Sequence, residues 1–119
     1  MYRIFVAEEN NTWQKAIGKA FDASYELAYW PNGKDLFNEL KSVQYDLIIL
    51  DLGLTMETPF DLLKWLNLTF PQCPVIVTSV EEKPELVVSA IKQGAHDFLA
   101  KPYSGPKLRH AVNQALEAC

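Results

Sequence analysis

The run Asp46 to Leu50, which ends on the acid Asp51, carries no polar residue between Leu47 and Leu50. A strand with one wet face alternates apolar and polar side chains, so a run this continuous calls for cover on both faces, as in a parallel sheet. Parallel strands are joined by long crossovers, usually helices. The rest of the chain supplies that alternation. Tyr2 to Ala7, Tyr25 to Trp30, Pro74 to Thr78 and Phe98 to Ala100 read as four more strands.

Helical patterns fall between and after them. Asn10, Asn11 and Thr12 are helix-start residues, and Trp13, Ala16, Ile17, Ala20 and Phe21 follow at the spacing of one helix face. Pro31-Asn32-Gly33 stops the second strand, and Leu36, Phe37 and Leu40 mark a short helix. Thr58-Pro59-Phe60-Asp61 is a helix start with a cap, a proline at the first helical position and a capping-box acid; Phe60, Leu63 and Leu66 give the buried face. Pro84 opens a fourth helix, with Leu86, Val87, Ala90 and Ile91 expected inward and Gly94 closing it. The last helix carries Leu108, Ala111, Val112, Ala115 and Leu116. Five strands and five helices in strict alternation predict one α/β domain over residues 1–119, with a parallel sheet and helices on both faces.

Composition narrows the function. A chain of 119 residues that is 49% hydrophobic suits one core without disulfides or a structural metal. Its net charge of −4 leaves no large basic patch, so direct nucleic-acid binding by this domain is not expected. Cys73 and Cys119 have no CxxC or Cys/His spacing, which argues against a zinc site and fits a reducing, cytoplasmic home. No apolar run reaches the roughly 20 residues of a membrane helix, and the N-terminus lacks signal-peptide features.

In an open parallel sheet the site lies at the carboxyl ends of the strands. Glu8-Glu9 follow the first strand, Asp51 ends the third, Thr78-Ser79 end the fourth, and Lys101-Pro102 follow the fifth. Asp51 alone could be a turn residue, a metal ligand or a nucleophile. Three close carboxylates would repel by about 4 kcal/mol per pair at an effective dielectric near 20. Either one takes a proton or a cation sits between them. Hard oxygen donors on short loops suit Mg²⁺. A metal in an acidic pocket, opposite a lysine and a hydroxyl, is equipment for phosphoryl transfer.

The stretches IFVAEEN, YDLIILDLGL, PVIVTS and GAHDFLAKP, in this order and covering essentially the whole chain, resemble the receiver domain of bacterial two-component response regulators. The resemblance implies a flavodoxin-like (βα)5 three-layer sandwich with strand order 2-1-3-4-5. It implies that Asp51 accepts a phosphoryl group from the phosphohistidine of a sensor histidine kinase or a histidine phosphotransfer protein. Glu9 would ligate Mg²⁺ directly, Glu8 through water, and Gly53 through its backbone carbonyl. Ser79 would be the switch hydroxyl, Lys101 the phosphoryl-pairing lysine before a cis proline, and Phe98 the aromatic that turns inward with Ser79. The domain would promote its own phosphorylation and dephosphorylation rather than act as a conventional enzyme. Its output would pass through the helix 4–strand 5–helix 5 face to a homodimer or to a further domain of a longer regulator, often one of transcription. The chain departs from the family in its Glu-Glu pair, in the loop at 54–59 and in Phe98, which lacks a tyrosine's hydroxyl.

Three other classes compete. A haloacid-dehalogenase-like phosphatase needs a second acid two residues after its nucleophile, where this chain has Gly53. A flavodoxin-like flavin carrier needs a phosphate loop after the first strand, where Glu8-Glu9 would repel phosphate. A receiver-like interaction module that is never phosphorylated is the third, motivated by the unusual loop at 54–59.

Overall fold

The computed structural model describes residues 1–30, 36–54 and 59–118. Five strands form one parallel sheet: β1 (Tyr2–Ala7), β2 (Tyr25–Tyr29), β3 (Leu47–Asp51), β4 (Val75–Ser79) and β5 (Asp97–Ala100). Their order is β2-β1-β3-β4-β5, as the resemblance implies. The helices are α1 (Asn11–Ala20), α2 (Leu36–Ser42), α3 (Pro59–Thr69), α4 (Pro84–Lys92) and α5 (Gly105–Glu117).

The sheet is covered on both sides, which accounts for the continuous apolar run of β3. Every residue of β3 and β4 is buried. Because side chains alternate along a strand, each strand feeds two cores. Phe5, Ile48, Leu50, Val75 and Val77 pack with residues of α2, α3 and α4. Ile4, Val6, Leu47, Ile49 and Ile76 pack with Ile17 and Ala20 of α1 and with Leu108, Ala111, Val112 and Ala115 of α5.

Local chemistry sets the helix ends. Asn10 caps α1, its side chain accepting a bond from the Trp13 N–H at 3.1 Å. Ser104 caps α5 through the Lys107 N–H at 3.2 Å, and Pro84 sits in the first turn of α4. Gly94 closes α4 with φ at 108°, a left-handed conformation that glycine adopts without strain. A side chain there would also collide with Asn67, whose atoms come within 2.5 Å of the Cβ position.

One inward assignment fails. Ile91 is 47% exposed, beside Val88 at 51%. Of the four α4 residues expected inward, only Ala90 is buried; Leu86 and Val87 are half-buried. A nine-residue helix resting on a sheet edge covers too narrow a stripe to hide a fourth apolar side chain. The Pro31-Asn32-Gly33 turn, the Thr58 cap and residues 55–58 of the departing loop lie outside the described residues.

Candidate functional site

The carboxyl ends of β1, β3, β4 and β5 lie side by side, and the acids expected there meet a lysine. Asp51 is the last residue of β3 and is 6% exposed; Glu8, one step past β1, is 2% exposed. Lys101 follows β5, and its backbone N–H donates to the Ser79 carbonyl at 2.7 Å. Its ammonium lies 2.5 Å from Glu8 Oε1 and 3.1 Å from Asp51 Oδ1. The Lys101-Pro102 peptide is cis, as the resemblance implies.

Each carboxylate oxygen of Asp51 has a donor. Oδ1 accepts from Lys101 and from Thr78 Oγ1 at 3.0 Å. Oδ2 accepts from the Gly53 N–H at 3.0 Å. Thr78 is the direct ladder partner of Asp51, which explains the reach of its short side chain. Glu8 is likewise held on both oxygens, since Oε2 accepts from the Asn10 N–H at 3.1 Å. The Gln14 amide donates to the Glu8 carbonyl. The carboxylates are thus fixed by short local turns and by the register of the sheet.

Repulsion among the acids is therefore offset first by an ammonium from within the chain. Among the described residues, no three acid, histidine or cysteine side chains come together as a metal cage. Glu8 and Asp51 converge on Lys101, while Glu9 beside them is only half-buried. The donor chemistry still fits Mg²⁺, which keeps several waters and needs only one or two carboxylates.

The side chains of Ser79 and Phe98 follow the other strand register and take other partners. Ser79 is 5% exposed, and its hydroxyl accepts from the Glu81 N–H at 3.0 Å. Phe98 is half-buried and packs on the core formed with α2, α3 and α4. The two-residue period of the strands explains the division. Asp51 shares a face with Leu47 and Ile49, and Thr78 shares one with Ile76, toward α1 and α5. Ser79 follows the register of Val75 and Val77 on the other face.

Two aromatic residues of this region had no site role in the sequence. The Lys101 ammonium lies 5.2 Å from the centre of the Trp13 ring, within the range of a cation–π contact. Trp13 in turn packs on Tyr103, with ring centres 4.6 Å apart. The Tyr103 hydroxyl is buried and has no hydrogen-bond partner among the described residues. Burial, and then the charges of Glu8 and Asp51, push its ionisation far above the usual tyrosine range. His96 and His110 are exposed.

A parallel sheet in this order, ending in a buried acid pair joined to a lysine, defines a receiver-type α/β domain. Comparison with known proteins agrees. The family model for the response regulator receiver domain matches residues 4–113, and the chain belongs to that family. The regulatory protein LuxO of Vibrio vulnificus is 36% identical over 84 residues, which is 71% of this chain and 18% of that protein. The chemotaxis protein CheY of Thermotoga maritima is 29% identical over 93 residues, covering 77% of this chain and 78% of that one. The solution structure of a beryllofluoride-activated NtrC4 receiver domain dimer superposes with a TM-score of 0.90 at 21% identity, over 99% of this chain and 98% of that chain. This chain thus spans under a fifth of the LuxO relative and most of the CheY relative. Receiver domains of this family are phosphorylation-dependent switches of two-component signalling.

Proposed function

We propose that Asp51 is the phosphoacceptor of this receiver and that Lys101 and Ser79 read its state. The carrying observation is that Asp51 closes the central strand β3, buried, with Lys101 on Oδ1 at 3.1 Å and the Gly53 N–H on Oδ2 at 3.0 Å. An Asp that only ended a turn would need neither burial nor an ammonium. The donor is a phosphohistidine on a sensor kinase or a phosphotransfer protein. An Asp51 oxygen forms the new O–P bond as the P–N bond of the donor breaks, leaving an acyl phosphate on β3.

Asp51 and Glu9, with the Gly53 carbonyl, are the residues that would hold Mg²⁺, and Glu8 would act through water. When bound, the metal offsets charge on the transferring oxygens. Lys101 supplies the second positive charge. Phosphorylation adds negative charge at Asp51, so Lys101 is drawn from Glu8 toward the new oxygens and Ser79 turns its hydroxyl to them. Phe98 fills the space that Ser79 leaves. The bound phosphoryl contacts Lys101 and Ser79 in one state and not in the other, which is the differential interaction that a switch requires. The responding surface is α4, β5 and α5, where Val88 and Ile91 are exposed. It would dimerise or dock an output domain if residues 1–119 begin a longer regulator. A cytoplasmic setting fits the kinase partner, and no helix among the described residues is long and apolar enough to cross a membrane.

The test is intact mass after incubation with acetyl phosphate and Mg²⁺. The expected result is one added phosphoryl group, lost in Asp51→Asn and with EDTA. If the protein takes up neither phosphoryl nor beryllofluoride, a mimic of the aspartyl phosphate, the reading is wrong and the domain is an interaction module.

A further inference from the structure

A buried phenol with nothing to bond to is costly, because folding removes its water without replacing the hydrogen bond. Tyr103 is in this position. Its ring is held by Trp13 on one side and borders the core of α1 and α5. Its hydroxyl is enclosed and finds no partner among the described residues. Phenylalanine would fill the same space without that cost. The hydroxyl is an unused donor on a residue that packs on Trp13, the ring over which the Lys101 ammonium of the acid pair lies.

Glu8 has the complementary vulnerability. In the state described here Oε1 is held by Lys101 and Oε2 by the Asn10 N–H. When Lys101 moves to a phosphoryl group on Asp51, Oε1 loses its ammonium while remaining buried, and of the protein donors described above only the Asn10 N–H stays, on Oε2. A buried carboxylate that keeps only a water on one oxygen is under-bonded, as the phenol is in the resting state. Each group lacks in one state what the other could supply.

We propose that Tyr103 is a positioning residue of the switch, whose hydroxyl donates to the Glu8 carboxylate when Lys101 leaves it for the phosphorylated Asp51. The inference rests on Asp51 being the phosphoacceptor. Lys101 is then exchanged between two acids rather than withdrawn from one, and the occupied state gains a hydrogen bond that the resting state lacks. Trp13 packs on Tyr103 and lies under the Lys101 ammonium, so it keeps the phenol in place and its fluorescence reports the exchange.

The test is Tyr103→Phe, which keeps the ring and removes only the hydroxyl. Affinities for Mg²⁺ alone and for beryllofluoride with Mg²⁺ are read from tryptophan fluorescence, and the ligand-free melting temperature is measured alongside. The expected result is beryllofluoride affinity weakened by roughly tenfold, the size of one hydrogen bond to a charged acceptor. Mg²⁺ affinity is unchanged, and the melting temperature is unchanged or higher. Beryllofluoride affinity equal to wild type overturns the proposal. So does a loss that merely follows a loss of Mg²⁺ affinity or a lower melting temperature, since either marks a general structural role. Wild-type protein that binds no beryllofluoride would instead overturn the phosphoacceptor reading, and this proposal with it.

Discussion

Lys101 and Glu8, 93 residues apart in the chain, form the closest ion pair of the site, at 2.5 Å. The same ammonium reaches Asp51 at 3.1 Å, and all three side chains are at least nine-tenths buried. One cation thus serves two acids, and the site depends on it more than on either acid alone.

Lys101→Met should therefore destabilise the metal-free fold strongly. It leaves two buried carboxylates uncompensated, and breaking such a network costs about 3–5 kcal/mol. Asp51→Asn in that background should restore part of the loss, because only Glu8 then remains unpaired. Urea unfolding of the two single variants and the double variant measures the coupling. Simple additivity would mean that Lys101 is not shared.

Gly53→Ala should impair phosphorylation more than stability. A Cβ at this position would stand 2.8 Å from Asp51 Oδ2, too close for both to remain. The carboxylate must move and the bond from the Gly53 N–H is strained. Displacing a reacting atom by a fraction of an ångström lowers rates by roughly tenfold or more. Stopped-flow phosphorylation by acetyl phosphate beside a thermal melt separates the two effects. A normal rate would show that Asp51 can turn away without consequence.

Thr78→Val removes the hydroxyl on Asp51 Oδ1 at nearly constant volume. The loss should be about 1–2 kcal/mol, the scale of one buried hydrogen bond to a charged group. Lys101 remains on the same oxygen, so phosphorylation should persist at a changed rate. Chemical denaturation and the uptake assay give both numbers, and complete loss of uptake would assign Thr78 a larger role than holding the carboxylate.

Alkaline pH should weaken the fold through tyrosine ionisation. Burial raises the pKa of Tyr29 and Tyr45, and burial with the nearby acids raises that of Tyr103 furthest. Below the unfolded value near 10, both states keep the phenolic proton and the full stability is present. Above it the unfolded chain releases protons that the folded chain retains, so stability falls as pH rises through the folded values. Spectrophotometric titration should show three of the five tyrosines ionising late. Tyr103→Phe should move alkaline unfolding to higher pH. Ionisation of all five tyrosines together near the ordinary value would contradict the enclosure of Tyr103.

Much of the architecture was legible because two periodicities, helix-like and strand-like, alternate without interruption. The continuous apolar run of β3 carried the inference of a sheet covered on both faces. The strand-end rule, applied to Glu8, Asp51 and Lys101, brings these three together from the order of the strands alone. Ser79 and Thr78 are adjacent hydroxyls, and the list of strand ends alone did not separate them. The two-residue period could have done so, since Thr78 shares a face with Ile76 and Ser79 shares one with Val77. Trp13 and Tyr103 were missed for a different reason. Their rings come from the first turn of α1 and from the loop after Pro102 to meet each other, with the Lys101 ammonium over the Trp13 ring, and no spacing along the chain encodes a meeting between two separate segments. Ile91 misled because helical periodicity marks an apolar stripe but not how much of it a neighbour covers.

The wide separation of Glu8 from Lys101 also bears on how the protein is made. A nascent chain presents Glu8 first, Asp51 mid-way and the balancing lysine only after β5 has been synthesised. Until then the acids face each other without their internal counter-charge. The cluster is thus completed only once Lys101 has emerged, and a domain cut short before β5 lacks the cation that Glu8 and Asp51 share.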